Sequence, residues 1–327
     1  MKRQTWSFFL VLSAAVPAIA GSNPAGQDLL TRAAQQANLF NPEVSPFQLD
    51  VDFVIQKQAP IEGHLIWKWQ ANDRWWRSIG VGDFRQIDIR NGDKLFTSRN
   101  LPYTHTPLRI LELLQLLQFG GPEGMQARKQ KDRTENGVAL TCLNAQSDTS
   151  QDKSHWICVN PSSYEILSSE WKDSPDGLQK EEYSNYFKFR AHRYPRQLQL
   201  FLDGNKTITA HVVNLATAPV EDTLLVPPQG SIERRQCAGM RRAVPIKTPD
   251  PAYPTSAKDQ HVVGNTTVSI TVLPNGSVGS VRLLGSSDQS LDEATMKTLQ
   301  GWKFKPAMCG TEPIESDLEV KVSFKLF

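Results

Sequence analysis

Long apolar runs, metal-ligand spacings and nucleophile motifs are what this chain lacks. Beyond residue 20 no stretch stays apolar for the roughly 20 residues that a membrane-spanning helix needs. There is no H-E-x-x-H, no G-x-S-x-G elbow and no phosphate-binding loop, and the six histidines are scattered. No two of the four cysteines stand two residues apart, as a redox motif requires, and none has a histidine at metal-ligand spacing. Charge of one sign is also missing: 36 Lys and Arg face 34 Asp and Glu, a net of +2, which argues against a nucleic-acid partner. The Ser286-Ser287 pair reads as turn and capping chemistry. Asp83, Asp88 and Asp93 read as solvent-facing strand or turn carboxylates. The expectation is a protein that is not an enzyme, with no cofactor and no metal.

What is present begins with a leader. Lys2 and Arg3, an apolar run from Trp6 to Val16 and the A-x-A of Ala18-Ile19-Ala20 make a secretory signal pattern over residues 1–20. Cleavage after Ala20 and a periplasmic mature protein are expected. The alternative is an uncleaved inner-membrane anchor. The remaining length favours two domains. An exported chain with an even cysteine count is expected to be disulfide-bonded. Four cysteines allow three connectivities, of which Cys142–Cys158 and Cys237–Cys309 are favoured.

Residues 24–228 are rich in alternation. Asn23 and Pro24 open a helix with an apolar face at Leu29, Leu30, Ala33 and Ala34. "FQLDVDFVIQ" then places Phe47, Leu49, Val51, Phe53 and Ile55 on one side of a strand. "HLIWKWQ", "RWWRSIGV", "FRQIDIR" and "KLFTSR" continue a meander, with a hairpin signal at Asn91-Gly92. One helix interrupts it, "THTPLRILELLQLLQF", with Thr106 as candidate cap and too many leucines for an exposed stripe. Further strands follow, from "GVALTCLN" to "TITAHVV". The pattern predicts a curved antiparallel sheet, a half-barrel, wrapped on helices. In its element order and exported setting it resembles the periplasmic lipoprotein-carrier family, LolA and LolB. That resemblance implies an apolar cavity, and Phe53, Ile55, Leu65, Trp67, Trp69, Trp75, Leu113 and Leu117 are its candidate lining. The alternative for these residues is an ordinary filled core.

Residues 229–248 read as a linker, with Pro, Gly and four arginines (Arg234, Arg235, Arg241, Arg242) replacing the alternation. They read as solvated, the sharper alternative being contact with an acidic partner. From residue 249 to 327 the sequence becomes specific. Tyr253-Pro254 precede a short helical stretch, and Pro274-Asn275-Gly276 turn a hairpin. "SLDEATMKTLQGW" reads as a helix, with Ser290 and Glu293 as a capping box and Gly301 as its left-handed terminus. Trp302, Phe304, Pro306 and Ala307 follow, expected beneath the sheet, and a last strand sets Leu318, Val320, Val322, Phe324 and Leu326 on one face. The Y-P pair, the Gly264 and Gly276 hairpin, the L-D helix and the W-x-F-x-P-A close make this region similar to the TonB C-terminal domain family.

The overall class expected is therefore α+β. The resemblance implies a small sheet with helices on one face. It implies partners in the cell envelope, a TonB-dependent outer-membrane receptor among them, bound by strand addition. Tyr253, Pro254, Leu318, Val320, Val322 and Phe324 are its candidate partner-binding residues. A TonB energy transducer has a membrane anchor and a Pro-rich spacer where this chain has a leader and a β-rich domain. The function expected is that of a periplasmic adaptor, the alternative being a carrier or sensor of an apolar ligand.

Overall fold

The computed structural model describes residues 23–326 apart from 42, 45, 57–58, 102–105, 119–124, 136, 148–153, 174–176, 236, 238–239 and 287. The leader expected at residues 1–20 lies outside the described residues, and so does the side chain of Thr106.

The chain opens with helix α1 (Pro24–Ala37), entered as expected: Asn23 accepts a bond from the Gly26 N–H at 3.0 Å and Pro24 occupies the first turn. Five strands follow as a meander: β1 (Phe47–Ile55), β2 (Ile61–Ala71), β3 (Arg74–Val81), β4 (Phe84–Asn91) and β5 (Lys94–Arg99). Helix α2 (Thr106–Leu117) then carries the chain to the far end of the same sheet. There it resumes as β6 (Met125–Glu135), β7 (Val138–Ser147), β8 (Ser154–Val159) and β9 (Ile166–Asp173). Three long strands bring it back: β10 (Gly177–Phe189), β11 (His192–Leu202) and β12 (Asn205–Thr217). Strand β12 pairs with β1, so the two meanders become one antiparallel sheet. With β13 (Ile232–Arg235) added beside β5, the sheet has 13 strands in the order β13-β5-β4-β3-β2-β1-β12-β11-β10-β9-β8-β7-β6. Its ends, β13 and β6, do not meet. This is the open, curved sheet that the alternation implied.

Alternation fixes which face is inside. Phe47, Leu49, Val51, Phe53 and Ile55 of β1 are all 2% exposed or less, and they share one core with Leu65, Trp67 and Trp69 of β2. Helix α1 adds Leu30, Ala33 and Ala37, while α2 adds Ile110, Leu113, Leu116 and Leu117. The buried Tyr194 hydroxyl donates to the Leu117 carbonyl at 2.5 Å, satisfying an orphan acceptor at the end of α2. Cys142 and Cys158 stand opposite one another on β7 and β8 and are bonded, and Cys237 is bonded to Cys309, the favoured connectivity.

Beyond β14 (Val244–Lys247) and the short helix α3 (Thr255–Asp259) lies a second core. A three-stranded sheet has the order β16-β15-β20, from β15 (Gly264–Val272), β16 (Val278–Gly285) and β20 (Ser316–Phe324). Helix α4 (Gln289–Leu299) packs on it. Three short strands, β17 (Lys303–Lys305), β18 (Ala307–Cys309) and β19 (Glu312–Ile314), lie between α4 and β20. Strand β14 pairs with β17, and β18 with β19.

Four expectations need correction. The α4 cap is Asp288, whose carboxylate accepts from the Ser290 N–H at 2.9 Å and the Ser290 hydroxyl at 2.5 Å. An aspartate one step upstream displaces serine because the helix begins at Gln289. Gly301 is not left-handed; the helix ends through Gln300 in the right-handed region, and the Gly301 N–H donates to Thr298. Asp88 is not solvent-facing but 2% exposed. It accepts from Arg77 Nε and Nη2 at 3.1 and 2.8 Å, from Gln86 at 2.8 Å and from Thr97 at 2.8 Å. Three of the four arginines of residues 229–248 are not simply solvated. Arg234 pairs with Glu315 and Asp317, Arg235 with Asp93 and Glu312, and Arg241 donates to the Gly310 carbonyl.

Candidate functional site

In the C-terminal unit the central strand and the last strand are buried unequally. Val268, Ile270 and Val272 on β15 are completely buried. Leu318, Val320 and Val322 on β20 face the same core yet remain only partly covered. The difference follows from position: β15 has neighbours on both sides, whereas β20 pairs with β15 alone. Among the described residues its outer edge has no partner strand, which leaves a row of backbone donors and acceptors unpaired across nine residues. The other outer strand, β16, is partly occupied, because Ser277 just before it forms a bridge with Lys303 at the start of β17.

The signature residues of this region hold the unit together. Gly276 has φ +79°, and a Cβ there would lie 2.0 Å from the Phe304 carbonyl oxygen, so the hairpin tip needs glycine twice over. The Phe304 N–H returns a bond to the Gly276 carbonyl at 2.9 Å. Phe304 lies in the core as expected. Trp302 is only half-buried, and its indole N–H donates to the Pro249 carbonyl at 3.0 Å, tying the end of α4 to the start of the unit. The buried Asp292 of the L-D pair accepts from Thr266 at 2.8 Å and from the Ser286 hydroxyl. Tyr253 donates its hydroxyl to the Val262 carbonyl and sets its ring edge-on to Phe324, centroids 5.4 Å apart. Pro254 precedes α3. Tyr253 and Phe324 therefore meet at one end of β20, and Leu318, Val320 and Val322 form its inner face. Five of the six candidates lie on β20 or pack against it, and Pro254 adjoins Tyr253 in sequence.

The candidate cavity residues are brought together too, in the core of the large sheet. Phe53, Ile55, Leu65, Trp67, Trp69, Leu113 and Leu117 are 0–2% exposed, and Trp75 packs against them half-buried. Phe40, from the segment after α1, is wedged among them, its ring 4.5 Å from Trp67 and 5.3 Å from Phe47. Arg77 stacks over both Trp67 and Trp75 at 4.7 and 4.9 Å. One polar atom here lacks a partner: the buried Trp67 Nε1–H. Two open spaces lie elsewhere. A groove of about 730 Å³ crosses the outer face of the sheet, with Asp52, His64, Ser78, Arg85 and His211 along it. A smaller cavity of about 250 Å³ lies between the two units, with Arg99, Leu111, Arg234, Arg282 and Glu319 on its walls.

Sequence reasoning missed the polar groups inside. Glu181 is buried beside Tyr183, whose hydroxyl donates to it, and burial raises its carboxyl to about 7. Tyr183 and Tyr186 are raised well above the ordinary phenol range by burial first and then by nearby charges. The alternation in "QKEEYSNYF" was the available signal, since it puts Glu181 on the same side as Tyr183. Among the described residues no group of three or more His, Cys, Asp and Glu is placed to hold a metal ion. No described helix is long and apolar enough to cross a membrane.

An open-edged, three-stranded α+β module attached to a large curved sheet is the class these features define. Residues 249–326 match the family described as the Gram-negative bacterial TonB protein C-terminal. The TonB2 protein of Pseudomonas aeruginosa is 30% identical over 82 residues, which are 25% of this chain and 30% of that protein. The chain thus spans less than a third of the length of this curated relative. A LolA superfamily protein from Nitrosomonas europaea aligns with 61% of this chain and 96% of its own, at 11% identity and a TM-score of 0.40. The solution structure of the Pseudomonas aeruginosa TonB C-terminal domain aligns with 27% of this chain and 96% of its own, at 19% identity and a TM-score of 0.24.

Proposed function

We propose that this is a non-enzymatic periplasmic protein whose C-terminal module binds an envelope partner by accepting a strand along the outer edge of β20. The observation that carries the reading is the incomplete cover over Leu318, Val320 and Val322, beside full burial of the same-face residues on β15. An added strand would satisfy the unpaired backbone row and cover that apolar flank in one step, with backbone bonds giving affinity and side chains giving selectivity. The match to a TonB C-terminal domain supports a partner connected with TonB-dependent transport, an outer-membrane receptor being the first to test.

Photo-crosslinkers placed singly at residues 317 to 323 in the exported protein test this. The expected result is one partner, captured with alternation along the strand. Capture with no alternation, or equal capture from Arg85 on the far face of the large sheet, contradicts it.

A second reading, carriage of an apolar ligand by the large sheet, is favoured by the buried Trp67 indole N–H that lacks an acceptor. A ligand carrying an acceptor would enter by displacing Phe40. Native mass spectrometry of protein taken from the periplasm decides: a retained lipid-sized mass supports carriage, and an empty protein contradicts it.

A further inference from the structure

We propose that the strand accepted by β20 carries a lysine or arginine in register with Glu319, flanked by apolar residues; this rests on the strand-addition reading above. Three adjacent strands set Arg282, Ser269 and Glu319 in a row, because Ser269 pairs with Arg282 on one side and with Glu319 on the other. The row ends in a carboxylate at the open edge of the sheet. Strands lie about 4.8 Å apart, so the next position along this row belongs to the incoming chain.

Arg99, Arg234 and Arg282 share the cavity with Glu319, and Arg99 donates to Gln86 at 2.8 Å. Arg234 holds Glu315 and Asp317, at 2.9 Å each, and Arg109 holds Glu112 on α2. Among the described residues no hydrogen bond or ion pair reaches Glu319 itself. Its nearest electrostatic neighbour of consequence is another acid, Glu112. Although the Glu319 side chain is exposed, it reaches the cavity between the two units. Lost hydration there, and then the Glu112 charge, raise its carboxyl above the usual range. Burial likewise raises Glu112, against the pull of Arg109 and, more weakly, of Lys321. A carboxylate at the open sheet edge, with a second acid on α2 acting on it, favours a positive side chain at the next position of the row. The apolar requirement comes from the other side of the strand, where Leu318 and Val320 flank Glu319 in sequence and face the core.

Cross-strand charge pairs are modest, so a lysine in place of a glutamate at this position should improve binding by about tenfold. The test displays a library of nine-residue segments, alternating valine with a fully varied position, and selects binders to the full-length chain. The same selection is run on Glu319→Lys and Glu319→Gln. Amide exchange of β20 is followed with the winning segments bound. The expected result is enrichment of Lys or Arg at one varied position for the native chain, of Asp or Glu for Glu319→Lys, and of neither for Glu319→Gln. Segments that protect β20 but show the same preference on all three chains overturn this inference and leave strand addition standing. Segments that leave β20 unprotected, or no binders at all, overturn strand addition and this inference with it.

Discussion

The two sheets of this protein solve the same problem in opposite ways. The large sheet closes its own surfaces: two helices and a set of tryptophans fill its inner face, and β13 covers one end. At the other end, the Gln27 side chain bonds both the Met125 carbonyl and the Ala127 N–H, imitating a neighbouring strand at 3.1 and 2.8 Å. The small sheet fills its inner face with α4 but leaves one edge unmet. Its last strand keeps an open edge and a half-covered apolar flank. The two units therefore differ in how far their edges are met. Among the described residues of the larger unit, Trp67 Nε1 is the buried side-chain polar atom left without a partner.

The largest expected effect lies in the disulfides, which sharpen the contrast first. Cys237–Cys309 spans 72 residues and Cys142–Cys158 spans 16. On the loop-entropy account their removal costs about 4 and about 3 kcal/mol. Unfolding midpoints of Cys237→Ser/Cys309→Ser and Cys142→Ser/Cys158→Ser compare them. Only the first pair should also loosen the joint between the units, seen as faster amide exchange in β13 and β18.

The interior of the large sheet comes next. Asp88→Ala should destabilise the protein by about 3 kcal/mol, because Arg77, whose side chain is only 11% exposed, would lose its counter-charge. Urea unfolding at pH 7 measures this, and a loss below 1 kcal/mol would show that water already reaches the pair.

Glu181 comes third and depends on pH. Its folded carboxyl titrates near 7 against an ordinary 4.5, so the folded state binds this proton more tightly than the unfolded chain does. Stability from this group is therefore full below about 4.5 and falls as pH rises to 7. At pH 8, Glu181→Gln should be more stable than the native chain by about 3 kcal/mol, and near pH 4 the two should match. Equal stability at both values would contradict the burial argument.

The smallest effect belongs to the open edge. Val320→Ala should cost only about 1 kcal/mol, since the side chain is half-covered already. The cost should rise when a partner strand is bound.

Much of this contrast was legible in the residues. Period-two alternation placed the inner-face residues of β1, and the candidates Leu65, Trp67 and Trp69 did so for β2, while the Y-P, L-D and W-x-F-x-P-A residues located the module. Strand β6 was illegible: "MQARKQKDRTE" has almost no apolar alternation and is a strand because β7 pairs with it. Strands β13 and β14 escaped for the same reason, since their partners are distant in sequence. The buried Asp88 and Glu181 were hidden because a carboxylate on an alternating strand usually faces water. Only the packed neighbours show that these do not. Within the candidate site, the strand and its inner face were readable. The half-cover that marks its edge was not, because edge position is set by sheet order.

The central claim concerns the outer edge of β20, and amide hydrogen exchange in the presence of the crosslink-identified partner tests it most directly. Strand addition predicts that alternate amides of residues 316–324, those not bonded to β15, become strongly protected while the large sheet is unchanged. Protection confined to the large sheet, with β20 exchanging as it does in the free protein, would contradict it.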